Sequence, residues 1–125
     1  MNVPAELKYT KEHEWIKVED KNAAIGITDY AQGELGDIVF IELPKVGTEV
    51  KKMQAFGTIE AVKAVSDLFA PVSGKVIEIN EMLEDDPMSI NRDPYGEGWM
   101  IKIELADPGE LDELLAADKY SELIG

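Results

Sequence analysis

The stretch IEAVKAVSD, Ile59–Asp67, holds one lysine between two short apolar runs, with Glu60 behind it and Asp67 ahead. Lysine is depleted in strands, so a cation between two β-compatible runs marks a break. The pattern predicts two strands joined by a hairpin connection that carries Lys63. Ala61, Val62, Ala64 and Val65 are small or stiff at χ1, which predicts a tight bend holding one long side chain out in solvent. Turn lysines are ordinarily solubilising residues; this one is set apart by its bracing and by the carboxylates on either side.

Working outward, the chain repeats itself on the two sides of this bend. GDIVFIELPKVGTEV followed by GTIEAV precedes it, and GKVIEINEMLEDDP followed by GWMIKIEL comes after it. Each copy has a Gly-led strand, a break, a polar stretch and a second Gly-led strand. Two copies of one strand unit predict a mainly β fold: a flattened barrel or sandwich of two small antiparallel sheets with approximate two-fold symmetry. HEWIKVED and AAIGIT read as an earlier hairpin across Asp20, Lys21 and Asn22. Thr28 then caps a short helix through Leu35, with Gly36 just past its end. DIVFIEL is a nearly continuous apolar run and reads as a well-buried strand, with Phe40, Trp15 and Trp99 in the core. EDDPMSIN reads as one helical turn with Asp86 as cap and Pro87 at its first position. The end, DPGELDELLAADKYSEL, predicts a C-terminal helix over about residues 108–123. Asp107 is its cap, Glu110 completes a capping box, and Leu111, Leu114 and Leu115 form its apolar face. We expect one domain over residues 1–125, its β core spanning about residues 13–105.

Composition removes several functions. Cysteine is absent, so disulfides, thiolate metal sites and a cysteine nucleophile are excluded and any sulfur chemistry must be imported. His13 is the only histidine, which rules out an imidazole metal cluster, and no GxSxG turn braces a serine for a hydrolytic triad. The acidic run Glu81, Glu84, Asp85 and Asp86 lacks the spacing of a calcium loop, and Gly96 and Gly98 precede a strand instead of a phosphate-cradling helix. With 26 acidic residues against 12 Lys plus Arg, the net charge is −14. That disfavours nucleic acid and anionic membranes and favours basic surfaces on partner proteins. No apolar run is long enough to span a bilayer and no signal or transit peptide is legible, so a cytoplasmic protein, or a trimmed mature form, is expected, acting as a monomer.

KYTKEHEW, GITDYAQGELGDIVFIELPKVG, EAVKAVSD, APVSGKV and DPYGEGWMIKI occur in this order from Lys8 to Ile103. In those segments the chain resembles the glycine cleavage system H proteins, lipoyl carriers built on a barrel-sandwich scaffold. One position departs from the family pattern: Ala61 stands where Ser is usual. The resemblance implies a non-catalytic carrier with lipoic acid bound as an amide to Lys63. It implies that Glu60 and Gly74 are recognised by the lipoate ligase or lipoyl transferase that modifies it. It also implies three working partners. A pyridoxal-phosphate glycine decarboxylase loads an aminomethyl group onto the arm, a tetrahydrofolate-dependent aminomethyltransferase unloads it, and dihydrolipoyl dehydrogenase reoxidises the arm. The loaded arm is expected to fold into a cleft near the first hairpin, its amine held by Glu14 and Asp67. Glu12, where some relatives carry a small hydroxyl residue, is a third candidate. A lipoyl relay, or an H-like carrier for another pathway such as sulfur metabolism, needs the same exposed arm and is the alternative. A biotin carrier fits less well, because Val62 and Ala64 stand where such carriers place Met.

Overall fold

The computed structural model describes residues 2–125. The first strands are β1 (Lys8–Tyr9), β2 (Glu14–Glu19) and β3 (Asn22–Ile27). The β2–β3 hairpin turns at Asp20, whose φ of 57° lies in the left-handed region that Asp tolerates. Trp15 pairs with Gly26 across it, and a Cβ on Gly26 would come within 2.8 Å of the indole, so only glycine lets the ring lie flat on the strand. Thr28 caps α1 (Asp29–Leu35) as the sequence predicts, its side chain accepting from Ala31 N, and Gly36 ends the helix at φ 82°.

Next come β4 (Ile38–Glu42), β5 (Glu49–Val50), β6 (Ala55–Ala61), β7 (Val65–Phe69) and β8 (Gly74–Ile79). Two short helices, α2 (Met82–Asp85) and α3 (Ser89–Arg92), lead to β9 (Ile101–Leu105). Six strands form one antiparallel sheet in the order β1-β2-β3-β9-β8-β5, and three form the other, β4-β6-β7. The fold is mainly β as predicted, and the two sheets face one another without closing into a barrel. Their inner faces share one core that includes Ile25, Ile38, Ile59, Leu68, Val76 and Ile101.

The internal repeat is present in the pairing register. β4 joins β6 through Ile38↔Ala61, Phe40↔Glu60 and Ile41↔Ile59; β8 joins β9 through Val76↔Ile103, Glu78↔Lys102 and Ile79↔Ile101. Each pair therefore carries one unpaired residue, Val39 or Ile77, and each stands three positions after its leading glycine, Gly36 or Gly74. The outer strand follows the same rule. Val65↔Glu60 and Ser66↔Ile59 in one sheet match Ala24↔Lys102 and Ile25↔Ile101 in the other. The quasi-equivalent units are thus β3, β4, β6 and β7, β8, β9, and each sheet borrows its third strand from the other unit.

Five local expectations need correction. β4 is not buried throughout: the bulge at Val39 interrupts the two-residue alternation, so Val39 and Phe40 both face solvent, Phe40 at 51% exposure. Trp15 is core as expected, while Trp99 is half-buried against a second cluster built on Tyr9, Trp15 and Tyr120. EDDPMSIN is split between α2 and α3, and Asp86 lies between them, closing α2 with its N–H and accepting from Ser89 Oγ at 3.1 Å. At the C-terminus the helix comes in two parts, a 3₁₀ segment (Pro108–Glu113) and α4 (Ala117–Ile124). Leu115 between them is pulled into extended pairing with Tyr9, exchanging both backbone hydrogen bonds at 2.8 Å. Asp107 caps the 3₁₀ segment through Gly109 N, but Glu110 does not complete a capping box; it accepts from Ser73 N at 2.7 Å and Ser73 Oγ at 3.1 Å.

Candidate functional site

β6 and β7 pair up to Glu60↔Val65, and Ala61 N donates to Ala64 O at 2.8 Å, leaving Val62 and Lys63 as the whole loop. Two-residue hairpins usually take Gly or Asn because their favoured turns need positive φ. Neither Val62 nor Lys63 adopts positive φ. The bend is held from outside instead: Val62 N donates to Asp37 O at 3.0 Å. Lys63 is exposed, and its stem lies along Gly36, where a Cβ would stand 3.6 Å from Lys63 Cδ and 3.7 Å from Cε. Among the described residues its amine forms no ion pair and no hydrogen bond. The sequence pattern's long side chain on a fixed bend is therefore what the fold presents.

Gly36 ends α1, and α1 walls a cavity of about 280 Å³. The other walls are the 10–14 loop and the free edge of β7. Ile27, Ala31, Leu35, Ile59 and Leu68 give it an apolar side, and Glu12, Glu14 and Asp67 reach it from different elements. The fold thus brings together the three carboxylates singled out from the sequence, and adds Glu34 and His13.

Glu14 is the unusual member. It is 2% exposed, and burial pushes its pKa from 4.5 up to about 8. Hydrogen bonds from Thr10 and from Phe69 N oppose the rise, and the Glu12 charge adds to it. Thr10 Oγ1 donates to Glu14 Oε1 at 2.7 Å and also accepts from Glu14 N at 3.2 Å; Phe69 N lies 3.4 Å from Oε2. Desolvation is the largest effect and outweighs the two hydrogen bonds that favour the charged form. Glu12 and Asp67 are exposed.

His13 adopts φ 70°, and its Nδ1 meets Tyr120 Oη at 2.9 Å; the same hydroxyl meets Thr28 Oγ1 at 2.7 Å. Burial lowers the His13 pKa against the opposing charges of Glu12 and Glu34. Thr10 and Tyr120 were not legible as site residues. Thr10 carries a faint signal, a hydroxyl four positions before an acid, while Tyr120 reaches the wall from 107 residues away.

Glu60 is exposed on the outer face of the three-stranded sheet, side by side with Phe40 and Val65 in the ladder. Gly74 is elsewhere. β7 runs away from the turn for five residues, about 17 Å at the usual rise, before the chain reaches it. It is buried, and a Cβ there would lie 2.5 Å from Glu104 O and 2.9 Å from Ile103 Cδ1.

Two small facing sheets and an unpaired lysine on an externally braced two-residue turn are what the fold presents at this site. The family follows from comparison of the whole chain: residues 7–125 match the model of the glycine cleavage H-protein family, and the chain belongs to it. It is 61% identical over 125 residues to the glycine cleavage system H protein of Staphylococcus haemolyticus, covering 100% of this chain and 99% of that one. With the corresponding protein of Staphylococcus carnosus the identity is 58% over the same coverage. The crystal structure of a glycine cleavage system H protein from Mycobacterium marinum superposes with a TM-score of 0.92 at 40% identity, covering 98% of this chain and 99% of that one. Among the described residues no helix is long and apolar enough to cross a membrane.

Proposed function

We propose that the chain, acting as one unit, is the lipoyl carrier of glycine cleavage, with Lys63 as the attachment residue and Glu60 as a contact for the attaching enzyme. The observation that carries this reading is the Lys63 amine, unpaired on a turn anchored to Asp37, its stem lying on the end of the helix that walls the cavity. Such an amine is open to acylation without rearrangement of the fold. When bound there as an amide, the lipoyl group supplies the exchangeable disulfide that takes the aminomethyl cargo from a pyridoxal-phosphate decarboxylase to a tetrahydrofolate-dependent aminomethyltransferase, a dihydrolipoyl dehydrogenase restoring it. The chain's own part is tethering, docking and shielding. A tether keeps cargo at high effective concentration for whichever active site holds the carrier.

The residues present fit such a group. The cavity's apolar side suits a hydrocarbon arm, and Glu14, Asp67 and Glu12 are the acceptors for a charged amine at its end, since charge-assisted bonds in a shielded site are the strong kind. Gly74 enters recognition through the fold: it lets β8 close on β9, and it offers an enzyme no side chain. The test is incubation with a purified lipoate ligase, lipoate and ATP, followed by intact mass and peptide mapping. A single lipoyl increment on the peptide containing Lys63 is expected, and an increment elsewhere, or none, refutes the assignment. Loading of the modified protein by glycine and the decarboxylase then separates glycine cleavage from a lipoyl relay.

A further inference from the structure

Asn91, on α3, is half-buried and spends its whole amide on the segment under the lysine turn. Its Oδ1 accepts from Ile38 N at 2.9 Å, and its Nδ2 donates to Gly36 O and to Gln32 Oε1, both at 2.9 Å. Gln32 is fixed in turn, donating to Asp29 Oδ1 at 2.7 Å. Residues 36–38 are thus bound on both sides of Asp37, whose carbonyl receives Val62 N. The backbone there is unusual. Gly36 sits at φ 82° and ψ −158°, a region open essentially to glycine alone, and the Lys63 stem occupies the space over it.

We propose that Asn91 is the positioning residue of the arm: it clamps residues 36–38 into a seat that fixes the Val62–Lys63 turn and starts the Lys63 stem along α1 toward the cavity. This rests on reading Lys63 as the attachment residue. The turn has no glycine or asparagine to favour a hairpin bend by itself, so its orientation depends on Asp37 O staying where Asn91 holds it. The hydrogen bonds of Asn91 go to Ile38, Gly36 and Gln32 and not to the lysine. It acts through the seat, as second-layer hydrogen bonds do wherever a reacting group must be held to a fraction of an ångström.

The test compares Asn91→Asp with Asn80→Asp in the full-length protein. The first keeps the acceptor for Ile38 N and loses both donated bonds, setting a carboxylate against two oxygens. The second removes an amide of the same kind, whose bonds run to Glu97 O and Trp99 O at 2.8 Å and not to the seat. Two readouts are taken: hydrogen exchange at the Val62 amide, and kcat and KM for lipoylation by a purified lipoate ligase. Asn91→Asp is expected to speed Val62 exchange and lower kcat by about tenfold, the scale of losing the net worth of one or two hydrogen bonds. KM is expected to hold, since the docking surface is intact. Asn80→Asp is expected to lower Tm while leaving both readouts unchanged. Equal behaviour of the two variants, or an unaltered kcat in Asn91→Asp, overturns the proposal. Should Asn91→Asp fail to fold, Gln32→Ala removes the outer support alone and is expected to shift both readouts in the same direction by less; no shift there overturns the proposal as well. If the parent protein is not lipoylated at all, the carrier reading fails, and the Val62 exchange decides the clamp on its own.

Discussion

Replacing Glu14 by Gln should make the protein more stable than the parent in alkaline solution, a direction opposite to most substitutions of a buried hydrogen-bonded residue. Burial holds the Glu14 pKa at about 8, against 4.5 for an ordinary carboxyl. Between those values the folded protein keeps a proton that the unfolded chain has lost. Stability from this group is therefore complete below the ordinary value and drains away as pH rises through the folded one. Each pH unit in that window removes about 1.4 kcal/mol. From about pH 6 to about pH 8 the parent gives up about 2 kcal/mol through Glu14 alone. Glu14→Gln mimics the neutral acid, keeps one acceptor oxygen for Thr10 or Phe69 N, though not for both, and has nothing to titrate. The other ionisable groups of the cavity, Glu12, His13, Glu34 and Asp67, are present in both proteins. Urea unfolding followed by tryptophan fluorescence reads it directly, because Trp15 is buried beside this loop. We expect the variant to gain about 2 kcal/mol on the parent between about pH 6 and about pH 8. Parallel stability profiles over that range would mean that Glu14 is already ionised at neutral pH, and the account of the cavity would fail.

Three further outcomes follow from the same geometry. Thr10→Val deletes the 2.7 Å bond that favours the charged form of Glu14, so the Glu14 titration, followed by carboxyl NMR, should move to higher pH still; a fall would contradict the burial argument. Gly74→Ala forces a methyl to within 2.5 Å of Glu104 O and should cost about 1–3 kcal/mol by overpacking, visible in urea midpoints; a neutral result would mean that β8 and β9 separate easily. Lys63→Arg should leave Tm within about 1 °C, because an exposed turn residue contributes little, while abolishing lipoylation by mass; modification of that variant would remove the attachment role.

How far the sequence could be read depended on the range of the forces involved. The Lys63 turn was legible because strand alternation and a single misplaced cation are local signals, and the quasi-symmetry was legible because Gly36 and Gly74 lead matched strands. Phe40 was misread because a bulge is a register event: the run DIVFIEL looks the same whether or not Val39 is skipped by its partner. The C-terminal helix was read as continuous because its break at Leu115 is imposed by Tyr9, more than a hundred residues upstream. The carboxylates of the cavity came from family resemblance, and no local pattern would have supplied them. Burial of Glu14 depends on the packing of β7 and of the 10–14 loop, and both partners of its carboxylate come from the chain's tertiary arrangement and turn geometry. Asn91 escaped notice for a related reason, since its worth lies in three bonds to a segment more than fifty residues away.

The raised Glu14 pKa bears on how one cavity can serve an arm with and without its charged cargo. On the carrier reading, an unloaded arm brings no charge, and a neutral Glu14 among Ile27, Leu35 and Leu68 asks for none. A loaded arm brings an ammonium. Its approach favours the ionised form of Glu14, so docking expels the proton and converts a neutral acceptor into a charge-assisted one. Capture of cargo is then linked to proton release and strengthens as pH rises toward about 8. Above that value the acid is already ionised and the linkage disappears. A carboxylate buried in the same place but ionised at neutral pH would attract the cation as well, but it would leave a buried charge uncompensated whenever the arm was empty, at a cost of several kcal/mol. On the same carrier reading, burying Glu14 beside Thr10 avoids that cost, because the proton stands in for the cargo until the cargo arrives.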